Sequence, residues 1–104
     1  EMGMRYPQSA DVNYLYAHYY LFQNNLGMAS VELENTLEKD PEHLLAHFFM
    51  GCTKQDMGSY LEAMESLQDY IKLAEDDPEE QERIAQARDR IHEMLQEMAG
   101  PAVN

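Results

Sequence analysis

Along most of the chain apolar residues recur three and four positions apart, and no stretch alternates apolar and polar over a useful length. The pattern predicts helices and no strands. Ser9 can cap a first helix from Ala10 to about Gln23. Asn24 and Asn25 interrupt it, because Asn tolerates the left-handed conformation that ends one helix and also caps the next. A second helix follows from Leu26 to Lys39, with Ala29, Leu33 and Leu37 four apart. Asp40 and Pro41 are expected to open a third, which reaches about Met57, since proline's missing N–H costs nothing at a first helical position. Gly58 then supplies a left-handed residue, and Ser59 with Glu62 forms an S-x-x-E capping box for a fourth helix to about Glu75. Asp77 and Pro78 repeat the Asp-Pro start for a fifth helix to about Met98, whose expected apolar stripe is Ile84, Ala87, Ile91, Leu95 and Met98. Gly100 and Pro101 end it.

Turns this short force consecutive helices to run antiparallel. A shift of 34 residues brings Ala29 onto Ala63, Leu33 onto Leu67, Leu37 onto Ile71, Tyr14 onto Phe48 and Ala17 onto Gly51. The matches fall at packing positions. Ala17 and Gly51 are small so that paired helices approach closely, and Ala29 and Ala63 do the same from the partner helices. Neither unit can bury its apolar stripe alone, so stacking makes the core.

A helix–turn–helix unit of 34 residues with small residues at these places resembles the tetratricopeptide repeat (TPR) family, whose pattern is W-x2-L-G-x2-Y…A-x3-F…P. Residues 10–43 match with Tyr16, Ala17, Tyr20, Ala29, Leu33 and Pro41. Residues 44–77 match with Met50, Gly51, Ala63 and Leu67, and "GSYLEAMESL" is the most family-like piece. Asn13 and His47 replace the Trp, Lys54 stands where an aromatic is usual, and Tyr70 where a small residue is usual, so packing between the units is expected to be looser or shifted. The resemblance implies an all-α, right-handed α-solenoid: an antiparallel hairpin array of two units, with residues 78–98 as a capping helix, 1–9 as an N-terminal extension and 100–104 as a tail. The layout is also similar to the C-terminal TPR part of bacterial cytochrome c maturation proteins, which hold apocytochrome tails.

The stretch Asn13–Phe22, "NYLYAHYYLF", puts five aromatics and a histidine into ten residues. The resemblance implies that Tyr16 and Tyr20 point into the stack while Tyr14, His18 and Phe22 line a concave groove. The matching groove residues are Leu45, Phe48, Phe49, Cys52 and Asp56 in the second unit, and Glu82 and Asp89 on the fifth helix. This expected groove is aromatic at its N-terminal end and acidic at its C-terminal end. It suits a peptide or helix with an apolar stretch and a nearby basic residue. The family's carboxylate clamp of Lys, Asn and Arg is not matched, since its positions hold Tyr14, His18 and Phe49.

Charge narrows the partners. Twenty Asp and Glu against seven Lys and Arg give a formal net charge of -13, which argues against nucleic acid and anionic membranes and favours a basic partner. No apolar run approaches a membrane span, so no membrane insertion is expected. One cysteine excludes an internal disulfide. Residues 1–104 contain no signal peptide, and the start at Glu1 reads as that of a trimmed or mature fragment, so the compartment stays unknown, cytoplasmic or periplasmic for a soluble protein.

Catalytic and metal chemistry find little support. His43 and His47 stand one turn apart, but Leu44 occupies the place of a zinc protease's Glu and no third ligand is evident. They read as a surface His beside Pro41 and a packed His47. His18 and Cys52 fall at neighbouring groove places, yet no third group orients them as nucleophile and base. The six acids between Glu75 and Glu82 lack calcium-loop spacing and read as a helix N-terminus, with Glu79 placed to pair with Arg83. No cofactor, metal site or enzyme activity is expected. The expected function is a non-catalytic interaction module with a scaffold or chaperone-like assembly role. The alternative is a structural module whose aromatic N-terminal face mediates homo-oligomerisation.

Overall fold

Capping chemistry sets where most of the helices begin and end. The computed structural model describes residues 9–100, so the expected N-terminal extension and tail, Pro101 included, lie outside the described residues but for Ser9 and Gly100. Ser9 accepts the Val12 N–H at 3.4 Å and opens α1, Ala10–Phe22. Asn24 takes a positive φ of 60°, and the Asn25 side chain accepts the Met28 N–H to open α2, Leu26–Lys39. Both asparagines act as expected.

The start of α3 differs from expectation. Asp40 accepts the Glu42 N–H through its carboxylate and the His43 N–H through its carbonyl, closing a turn. The helix runs Leu44–Asp56, and its cap is His43, whose Nδ1 accepts the Ala46 N–H at 3.1 Å. Asp40 is committed to the turn and cannot also cap.

Gly58 takes the left-handed conformation, with φ 84°. Ser59 precedes α4, Tyr60–Ala74, but makes no side-chain cap bond. Glu62 is drawn to Lys54 Nζ at 3.1 Å instead, so the capping box stays open. Asp77 accepts the Glu79 N–H, and Pro78–Glu80 form one 3₁₀ turn before α5, Gln81–Ala99. The described residues are helical with no strand, and no helix is long and apolar enough to cross a membrane.

Each helix packs against the next. Asn13, early in α1, meets Glu32 in the middle of α2 and Lys39 at its end, so the two run in opposite directions. Its buried amide donates to Glu32 Oε1 at 3.0 Å and accepts from Lys39 Nζ at 2.8 Å. A first core cluster joins Ala17, Leu33, Ala46 and Met50 from α1, α2 and α3. A second joins α3, α4 and α5 through Phe48, Leu67, Tyr70, Ile84 and Met94.

Gly51 is required where these helices meet. A Cβ there would stand 2.5 Å from Leu67 Cγ and Cδ2 and 3.1 Å from the Ala63 carbonyl oxygen. Tyr70 does not loosen the packing. It is completely buried, and its ring stands edge-on to Phe48 at 5.3 Å.

Two core expectations are corrected. Tyr16 is 48% exposed, because no element among the described residues covers that side of α1. On α5, Met94 is fully buried while Leu95 and Met98 are about half exposed. Met94 continues the i, i+3 and i+4 spacing of Ile84, Ala87 and Ile91, whereas Leu95 lies at the edge of that stripe and Met98, on the same line, falls in the last turn of α5.

Candidate binding groove

Three helices contribute to one aromatic row. From α1 come Tyr14 and His18, edge-on to each other with centroids 4.5 Å apart. Phe49 of α3 meets His18 at 4.9 Å and Tyr14 at 6.3 Å. His43, at the start of α3, stacks obliquely on Tyr14 at 4.7 Å. Phe49 then meets Phe48, and Phe48 meets Tyr70 of α4, both at 5.3 Å. Edge-on contacts at these distances are the favoured aromatic geometry.

Exposure divides the row. Tyr14, His18 and Phe49 are half-buried, so part of each ring faces solvent. Phe48 is only 6% exposed and belongs to the core cluster. Its expected place in the groove is therefore corrected: Tyr70 and Arg83 cover it, the Arg83 guanidinium lying 5.8 Å from the ring centre. Leu45 and Cys52 are half-buried; Asp56 is exposed at the end of α3, and Phe22 is 94% exposed at the end of α1.

The α5 side of the site differs in charge from expectation. Glu82 and Asp89 are exposed and make no hydrogen bond or ion pair among the described residues. One residue further on in each case, Arg83 reaches over Phe48, and Arg90 donates to Gln55 of α3 at 2.7 Å. Arg83 and Arg90 share a face because seven residues make two helical turns. A shift of one residue turns a side chain by about 100°, so the acids and the arginines point differently.

The electrostatics follow from this packing. Burial lowers the His18 pKa, which favours the neutral ring. Burial raises the Tyr14 pKa, with the Arg83 charge opposing. Burial also raises that of the Cys52 thiol, against a smaller opposing effect from Arg90, and Asp56 adds to the rise. A raised thiol pKa disfavours the thiolate that nucleophilic chemistry uses. The Phe49 ring stands against His18, and no hydrogen bond links His18 to Cys52 among the described residues.

His43 is not the free surface histidine expected. Its Nδ1 accepts a backbone hydrogen, so the ring proton lies on Nε2, which faces Asp11 Oδ1 at 3.4 Å. His47 Nε2 bonds the Pro41 carbonyl at 2.7 Å. The two rings therefore have separate partners. No group of three or more His, Cys, Asp or Glu among the described residues is placed to hold a metal ion.

Sequence reasoning did not place His43, Arg83 or Arg90 beside the groove rings. The first was hidden behind the stronger Asp-Pro signal. The arginines were legible only as an i, i+7 pair, which the neighbouring Glu82 and Asp89 also form.

No protein-family model matches this chain, and no match to it is found among the curated proteins.

Proposed function

We infer that the chain is a non-catalytic protein-interaction module: a two-unit tetratricopeptide-type hairpin array with a capping helix, holding a peptide or helix of a partner protein between α1 and α3. One observation carries this reading. Tyr14 and His18 of α1 and Phe49 of α3 bring three partly exposed rings together across two helices. Rigid rings present large apolar area at low entropic cost, which is what a binding anchor needs.

The apolar part of the ligand sits on these rings and on Leu45. The net charge of -13 favours a basic residue on it. That residue lies toward Asp11, at the exposed rim where α1 begins, and away from Arg83 and Arg90, which α5 sets against α3.

The test is a library of amphipathic peptides, basic and acidic, followed by NMR mapping of the best binder. The expected result is selection of basic peptides, with shifts concentrated at Tyr14, His18 and Phe49 and binding at least about tenfold weaker in Tyr14→Ala, a loss typical of an anchor residue. Absence of any binder, or shifts confined to other surfaces, overturns the reading.

A further inference from the structure

Helix α1 is apolar around most of its circumference, a pattern that belongs to a helix covered on all sides. Two of its sides are covered. Asn13 and Ala17 are buried toward α2, and Tyr14 and His18 meet Phe49 of α3. The third side carries Val12, Leu15, Tyr16 and Tyr19, at the i, i+3, i+4, i+7 spacing of one helix face, and these four line a shallow open depression. Leu15 is 67% exposed, Tyr16 48% and Tyr19 57%, with Phe22 at 94% beside them.

The same face of α3 shows what this side accepts. Thirty-four residues on stand Ala46, Phe49, Met50 and Thr53. Ala46, Met50 and Thr53 are buried, and Ala46 and Met50 pack in one cluster with Leu33 of α2. On α3 this face is covered by a helix; on α1 no element among the described residues covers it.

We propose that the open face of α1 is a self-association surface, occupied by the same face of a second copy of this chain about a two-fold axis. Charge selects that occupant. The chain carries -13, yet α1 holds a single acid, Asp11, and no Lys or Arg. Asp11 lies at the start of the helix, where it faces His43 at 3.4 Å. Two copies therefore repel least when α1 meets α1. At the far end of the molecule the exposed Leu95 and Met98 of α5 stand among the exposed acids Glu82, Asp89, Glu93 and Glu97, so charge disfavours head-to-tail growth and favours a closed pair.

The area is sufficient for a reversible dimer. At about 200 Å² per large side chain, the four exposed residues leave roughly 500 Å² of apolar surface per copy. A pair then buries about 1,000 Å², the lower end of specific interfaces. Apart from Phe22, which the sequence reading assigned to the groove, this surface shares no residue with the rings of Tyr14, His18 and Phe49 and stands or falls without them.

Sedimentation velocity from micromolar to millimolar chain tests the proposal. The expected result is a monomer–dimer equilibrium that tightens in about 1 M salt, where a screening length of about 3 Å suppresses repulsion between the acidic bodies. Leu15→Glu with Tyr19→Glu should weaken it at least about 30-fold, the effect of losing one buried anchor. Gln68→Glu with Gln86→Glu adds the same charge on α4 and α5 and should leave the dimer, while circular dichroism reports whether each variant stays folded. A wild-type chain that remains monomeric throughout overturns the proposal, whether residues 1–8 or a different protein then covers the face. A dimer that the folded Leu15→Glu, Tyr19→Glu variant still forms overturns it as well.

Discussion

The Tyr70 hydroxyl donates a 2.6 Å hydrogen bond to Glu80 Oε1, the same oxygen that accepts from Arg83 Nη1 at 2.8 Å. Glu80 thereby ties the fully buried Tyr70 of α4 to the first turn of α5, and Arg83 extends over Phe48 of α3. The Tyr70 pKa is raised, by burial first and then by Glu80. Removing the hydroxyl in Tyr70→Phe should cost about 1.5–3 kcal/mol, the range for a hydrogen bond to a charged group. Thermal denaturation of the two proteins at neutral pH measures it.

The same contact predicts an acid dependence. The Tyr70 hydrogen bond and Arg83 hold the Glu80 carboxyl below its ordinary range, against an opposing effect of burial. Folded Glu80 binds its proton less readily than unfolded Glu80, so this contribution is complete above the unfolded value of about 4.3 and is lost as pH falls through the lower folded value. The stability gap between wild type and Tyr70→Phe should therefore narrow on acidification below about pH 4. A gap that widens there would contradict the assignment.

His18 should titrate below the model-peptide value of about 6.5, because burial disfavours the imidazolium. Its contribution to stability is present above that value and lost as pH falls through the folded one. NMR titration of its ring protons gives the midpoint directly. Protonation also places a cation among the groove rings, so a basic peptide should bind more weakly at acid pH.

Gly51→Ala should destabilise the fold despite alanine's better helix propensity. That propensity is worth about 1 kcal/mol, while overpacking a closed core costs about 1–3 kcal/mol. The added Cβ meets Leu67 Cγ and a backbone oxygen of α4, and Leu67 is completely buried, so any shift of it must displace core neighbours. A net loss of about 1 kcal/mol or more is expected. Leu67→Ala in the Gly51→Ala background should cost less than Leu67→Ala alone, a coupling that a double-mutant cycle reads.

Thr53 points the other way. Its hydroxyl is buried in α3 without a hydrogen-bond partner among the described residues. Thr53→Val removes that unsatisfied group at nearly constant shape and should stabilise by about 1 kcal/mol, or about 4–8 °C in Tm. An unchanged or lowered Tm would mean that the hydroxyl has a partner in solution.

What the sequence determined by itself was local. Ser9, Asn25 and Gly58 placed helix ends because a cap needs only a side chain and a backbone a few residues away. The small residues Ala17, Gly51 and Ala63 marked close helix contacts, and Tyr14 and His18 were legible as neighbours of the second unit's rings. Where two local signals competed, as Asp40 and His43 did before α3, the pattern alone favoured the wrong one.

Only the tertiary structure decided which face each helix turns to its neighbours. Helical spacing groups residues into stripes but leaves the rotation about the helix axis open, and a one-residue change in that rotation swings a side chain by about 100°. That freedom put Arg83 and Arg90 of α5 against α3 in place of Glu82 and Asp89. It sank Phe48 beneath Tyr70 and Arg83, and it left Tyr16 at the surface although its counterpart Met50 is buried. Those outcomes depend on which volumes fill the space between helices, a property of packed pairs that no single helix's period contains.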